Sequence, residues 1–229
     1  MDISRQVFVR SSHMGVMYVV IGLIMGVVLT VVLDLAGSVG TVVQNGTTFD
    51  VGAFTGSILV SFGALVGVVA ATPVFFLFVY DKNAGVLEYL LAVGMSQREV
   101  FSGYLKGALE LAAAVMAPSI LLNLALSPNG LVFRSESAVI SLVLGLADVA
   151  LVTVLMTAFS SMQRRPSGMN SPLGVGVGII PVFPGLILGA LVGPLVFWLE
   201  GAIALIILAV AVALLLSLDR FVSREKFLP

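Results

Sequence analysis

Long runs of apolar residues without a single charge constrain this chain more than any other feature. Met14–Leu33 and Ala53–Val79 are two such runs, and each exceeds the roughly 18 residues a helix needs to cross a bilayer. A soluble domain is about 45–50% apolar and about 25% charged. This chain is 59% hydrophobic and 10% charged, which predicts an integral membrane protein. Outer-membrane barrels alternate apolar and polar residues along each strand. These runs do not alternate, so the expected fold is all-α.

Taken in order, the runs predict six transmembrane helices in one domain spanning residues 1–229. The spans are Met14–Leu33, Ala53–Val79, Phe101–Leu126, Ala138–Ser161, a fifth from about Leu173, and a sixth ending near Leu218. Pro181, Pro184 and Pro194 interrupt the last region. Such breaks are tolerated at membrane depth where neighbouring protein satisfies the freed backbone. A kinked turn near Gly193–Gly201 is therefore expected between spans five and six, with a possible re-entrant segment. Residues 1–13 read as an interfacial helix, with Ile3 and Val7 toward lipid and Ser4, Arg5 and Arg10 toward water.

With six spans, one side of the membrane receives Arg5, Arg10, Lys82, Arg98, Lys106, Arg164, Arg165, Arg220, Arg224 and Lys226, and the other only Arg134. The excess of basic residues marks the cytoplasmic side. Both termini, the 81–99 loop and the 219–229 tail are expected there, in the cell membrane. Asn45-Gly46-Thr47, on the opposite side, matches a glycosylation sequon.

Several chemistries are excluded. The net charge of −1 leaves no basic footprint for nucleic acid. The absence of cysteine removes thiolate catalysis and Cys-ligated metals. No phosphate-binding G-x-x-x-x-G-K-[ST] run and no H-E-x-x-H occur, and His13 stands alone. We therefore expect no catalytic residue and no cofactor or metal bound by this chain. Tyr80-Asp81 and Gly145-Leu146-Ala147-Asp148 faintly resemble the Y-D and G-x-G-D pairs of intramembrane aspartyl proteases. Ala147 replaces the second glycine, and Asp81 reads as a solvated loop charge. Asp148, inside span four, is either a protonated or hydrogen-bonded packing residue or a polar group of a translocation path.

The longest charged interruption is Tyr80–Gly107. Leu87, Leu90, Leu91 and Gly94 fall at i, i+3, i+4 and i+7, the pattern of a short amphipathic helix. Gly94 suits the position that ends it. Ser96-Gln97-Arg98-Glu99 reads as a capping box opening the next helix. This stretch resembles the loop between spans two and three of the type-2 ATP-binding-cassette exporter permeases. The matching residues are Asp81-Lys82, Gly85, Leu87-Glu88, Leu90-Leu91, Met95-Ser96 and Lys106. Val86 stands where Thr or Ser is usual, and Gly94 where Pro is usual.

The resemblance implies a transport subunit with no enzyme activity of its own. Its 81–99 loop would form a coupling helix docked on a separate cytoplasmic ATPase, present in two copies and carrying the ATP and Mg. Leu87, Leu90, Leu91 and Met95 would form the docked ridge, with Gly85 and Ser96 at its ends and Glu88 and Arg98 at its rim. A second permease copy or a related permease would complete the transporter. The few interior charges favour a hydrophobic or amphipathic substrate. The alternative from another class is an ATP-independent secondary transporter or channel, which would show paired broken helices in its two halves.

Overall fold

The computed structural model describes residues 3–37, 41–44, 47–126, 135–162 and 196–221. The described chain is helical apart from one hairpin. Its elements are α1 (Ile3–Met14), α2 (Val16–Gly37), β1 (Thr41–Gln44), β2 (Thr47–Asp50), α3 (Val51–Asn83), α4 (Val86–Ala92), α5 (Gln97–Leu126), α6 (Ser135–Met162) and α7 (Val196–Phe221). Leu65–Asn83 and Gln97–Leu122 are each long and apolar enough to cross a membrane, and the bent pair α1–α2 supplies a third such element. Leu142–Leu155 of α6 and Gly201–Ser217 of α7 are shorter apolar stretches. The expected fifth span, re-entrant segment and 163–171 loop lie outside the described residues. Helix α7 is already formed at Val196, so the expected turn near Gly193–Gly201 does not reach Gly201.

Helix α6 is central, packing against α3, α5 and α7, while α2 lies against α3 and α5. Small residues let the backbones approach, as is usual where helices meet inside a membrane. Gly67 of α3 is one such point: a Cβ there would stand 2.7 Å from the Met116 sulfur and 3.3 Å from Val149 Cγ2. The two-stranded hairpin joins α2 to α3, pairing Thr41 with Asp50 and Gln44 with Thr47. Its sequence signal is Asn45-Gly46 between β-branched residues, the strongest short hairpin cue. The same dipeptide is also the start of the Asn45-Gly46-Thr47 sequon.

The N-terminal helix forms but does not lie as expected. Helix α1 meets the start of α2 at 83°, and at the corner a Cβ on Gly15 would collide with the Pro73 ring of α3. Val7, Ser4 and Ser11 are buried, so Val7 does not face lipid and Ser4 does not face water. The reason is Gly103-x-x-x-Gly107 on α5. A Cβ on Gly103 would come 2.5 Å from Ile3 Cγ2, and one on Gly107 2.6 Å from Val7 Cγ1. Helix α1 is thus seated in a glycine groove of the protein itself.

Gly107→Leu is expected to push α1 off its seat, at about 1–3 kcal/mol for overpacking a tight contact. Limited proteolysis near Arg5 and Arg10 should become faster, while Gly201→Leu, at a position with open space, should change nothing.

Candidate functional site

Where α3 ends, the chain turns twice in quick succession, and both turns use a glycine in the left-handed region. Gly85 (φ 74°) precedes α4 and Gly94 (φ 99°) follows it, a conformation only glycine adopts without strain. The Met95 amide donates to the Leu90 carbonyl at 3.2 Å and the Gly94 amide to Leu91 at 3.1 Å. That pair of bonds is the Schellman ending of a helix. Gly94 therefore terminates α4 as its sequence position suggested.

Ser96 then caps α5. Its amide and hydroxyl donate to Glu99 Oε2 at 2.7 and 2.9 Å, and the Glu99 amide donates back to Ser96 Oγ at 3.2 Å. The capping box expected from the sequence is present, with its orphan amides satisfied reciprocally. Arg98, in the first turn of α5, donates to the Leu216 carbonyl near the end of α7 at 2.9 Å. The start of α5 and the end of α7 are therefore tied together.

Asp81 is not the solvated loop charge expected from the sequence. Asp81 is fully buried at the last turn of α3. It accepts two hydrogen bonds from Arg10, at 2.6 Å to Oδ1 and 3.0 Å to Oδ2, and one from the Tyr104 hydroxyl at 2.5 Å. Phe78 stacks edge-on against Tyr104 with ring centroids 5.1 Å apart and contacts Phe101 at 5.5 Å. Lys82 is also buried. The pair joins residues 71 positions apart in sequence, so no local pattern announced it.

The apolar face of α4 is turned inward. Leu87 is completely buried in the core cluster, and Leu90, Leu91 and Met95 pack against that cluster half-buried. Leu87 therefore anchors α4 and cannot form an outer ridge. Facing away are Glu88, Tyr89 (67% exposed), Ala92 and Val93 (64% exposed). Tyr89 and Val93 lie four residues apart and so share one helix face. Tyr89 and Val93 carry no periodic signal of their own, because the leucines that mark α4 in the sequence are the residues the protein uses for itself.

Asp148 does not join this cluster. It lies in α6 beside Val149, at the level where α6 touches Gly67. Asp81 is on α3 a further 14 positions along, roughly 20 Å at the helical rise. The two carboxylates of the aspartyl-protease reading are thus far too distant to share a proton. Among the described residues no group of three or more His, Cys, Asp or Glu could hold a metal.

The fold and this site define a helical protein with membrane-length apolar segments and a short helix tethered at one end of its bundle. No family model, curated protein or solved structure matches the chain.

Proposed function

We propose that this chain is the membrane-spanning permease subunit of an ATP-binding-cassette transporter of the type-2 exporter kind. It moves a hydrophobic or amphipathic substrate across the cell membrane. It has six spans, and both termini are cytoplasmic. A separate ATPase, in two copies, binds ATP and Mg and performs hydrolysis, and a second permease copy or a related permease completes the pathway.

The observation that carries this reading is the mounting of α4. Its inner face is fixed by Leu87 and by glycine turns at both ends, while Glu88, Tyr89, Ala92 and Val93 face out. A helix held this way passes force from a docked partner directly into α3 and α5. Closure of two ATPases would tilt those helices as rigid bodies and switch the bundle between inward- and outward-open states. Two contacts support placing both termini on α4's side. Helix α1 packs on the first turns of α5 at Gly103 and Gly107, and Arg98 binds the Leu216 carbonyl near the end of α7. A helix resting on lipid headgroups would favour Lys and Arg on its polar face, whereas the exposed charge of α4 is Glu88.

Tyr89→Asp and Val93→Asp are expected to abolish co-purification of the partner ATPase and its stimulation by the permease, without changing the permease's thermal stability. Assembly and stimulation equal to wild type in both variants would overturn the coupling assignment.

A further inference from the structure

The middle of α6 holds a carboxylate that the proposed mechanism does not use. Asp148 has no exposed surface, and both its oxygens lack a hydrogen-bond partner among the described residues. Moving an ionised carboxylate out of water costs several kcal/mol even after the protein relaxes, and that cost is recovered only with a partner charge and further hydrogen bonds. A neutral acid of the same shape carries a much smaller penalty.

Among the described residues, the neighbouring elements supply no counter-charge. On α3 the described ionisable groups are Tyr80, Asp81 and Lys82, all at the far end, roughly 20 Å along the axis from the Gly67 level. On α5, Tyr104 donates to Asp81, Arg98 is exposed and donates to the Leu216 carbonyl, and Glu99 binds Ser96. Lys106 and Glu110 are exposed. The ionisable residues of α7 are Glu200, Asp219 and Arg220, at its two ends. On α6 itself, Glu136 is 12 residues away, and the nearby Thr153 hydroxyl donates to the Val149 carbonyl at 2.6 Å.

We infer that Asp148 is a proton-binding site: it holds a proton as a neutral carboxylic acid in the resting bundle and releases it when α6 separates from α3 and water enters. The close approach of Gly67 to Val149 and to the Gly145 carbonyl is what keeps water out. The switch between open states is then linked to proton release and uptake on whichever side water reaches Asp148. This goes beyond the permease reading, and its test needs no ATPase, so the two can fail separately.

The test is the infrared spectrum of the purified permease in lipid at neutral pH, wild type minus Asp148→Asn. A protonated acid gives a carbonyl stretch well separated from that of a carboxylate. The expected result is an acid carbonyl band in the wild type that Asp148→Asn removes, together with a melting temperature for the variant equal to or above wild type. A carboxylate band lost in its place would overturn the inference. Should the variant fail to fold, a pH series on the wild type decides: a buried acid band that persists after the surface carboxylates have ionised supports the site, and its absence removes it.

Discussion

Arg10→Met should destabilise the protein by about 3 kcal/mol, clearly more than Asp81→Asn at about 1 kcal/mol. Breaking a buried ion pair by removing one partner costs about 3–5 kcal/mol, because the remaining charge is left without compensation. The two partners here are not equivalent. The Asp81 side chain is 1% exposed and that of Arg10 42%. Removing Arg10 strands a carboxylate that cannot reach water, with Tyr104 as its remaining hydrogen-bond donor in the network. Removing the charge of Asp81 leaves a guanidinium that can swing into solvent, and the asparagine oxygen still accepts from Tyr104. The Arg10 estimate sits at the low end of the range because the half-exposed guanidinium gains less from the pair than a buried one would. Denaturant unfolding in one detergent, with the double variant closing the cycle, measures the difference. Equal losses, or a larger one for Asp81→Asn, would mean that the carboxylate is not the stranded charge. The same change should free α1, because Arg10 is its polar tie to α3 just as Ile3 and Val7 are its apolar seat on α5.

Local chemistry was legible in the sequence wherever it depended on residues a few positions apart. The Schellman ending at Gly94 and the Ser96–Glu99 box are set by bonds spanning three to five residues, and both read directly from residue type and spacing. The helices α3, α5 and α6 follow the apolar runs to within a few positions. What could not be read was which side of an amphipathic helix meets protein. In water an apolar face turns inward, but beside a bilayer it can meet lipid, a partner or the chain's own core, and periodicity is the same in all three. Helix α1 shows this: the spacing of Ile3 and Val7 suits lipid, yet the glycines that receive them are a hundred positions further on, at Gly103 and Gly107. Asp81 shows it for charge. Its neighbours Lys82 and Asn83 suggest a solvated loop, but α3 continues through Asn83 and carries Asp81 into the core beside Arg10 and Tyr104.

The same ambiguity makes Leu87 and Tyr89 the sharpest pair to compare, two residues apart on opposite sides of α4. Leu87→Asp should prevent the protein from accumulating in a folded form, a loss above about 4 kcal/mol, the size reached when a charge is buried without a partner. Leu87 has no exposed surface and sits in the cluster that includes Phe78, Val100 and Tyr104, so an aspartate there has no water to meet. Leu87→Ala, which leaves only a cavity, should cost about 2–5 kcal/mol. Tyr89→Asp should leave stability within about 0.5 kcal/mol of wild type, as exposed substitutions usually do. A lost ATPase interaction in Leu87→Asp alone would therefore say nothing about docking, since an unfolded permease binds nothing. The informative pattern is a folded Tyr89→Asp protein, with an unchanged melting temperature, that no longer assembles with the ATPase. If Leu87→Asp instead folds normally, the inner face of α4 is not core. The leucines would then be the surface offered to a partner, and Tyr89 and Val93 would lose their claim to it.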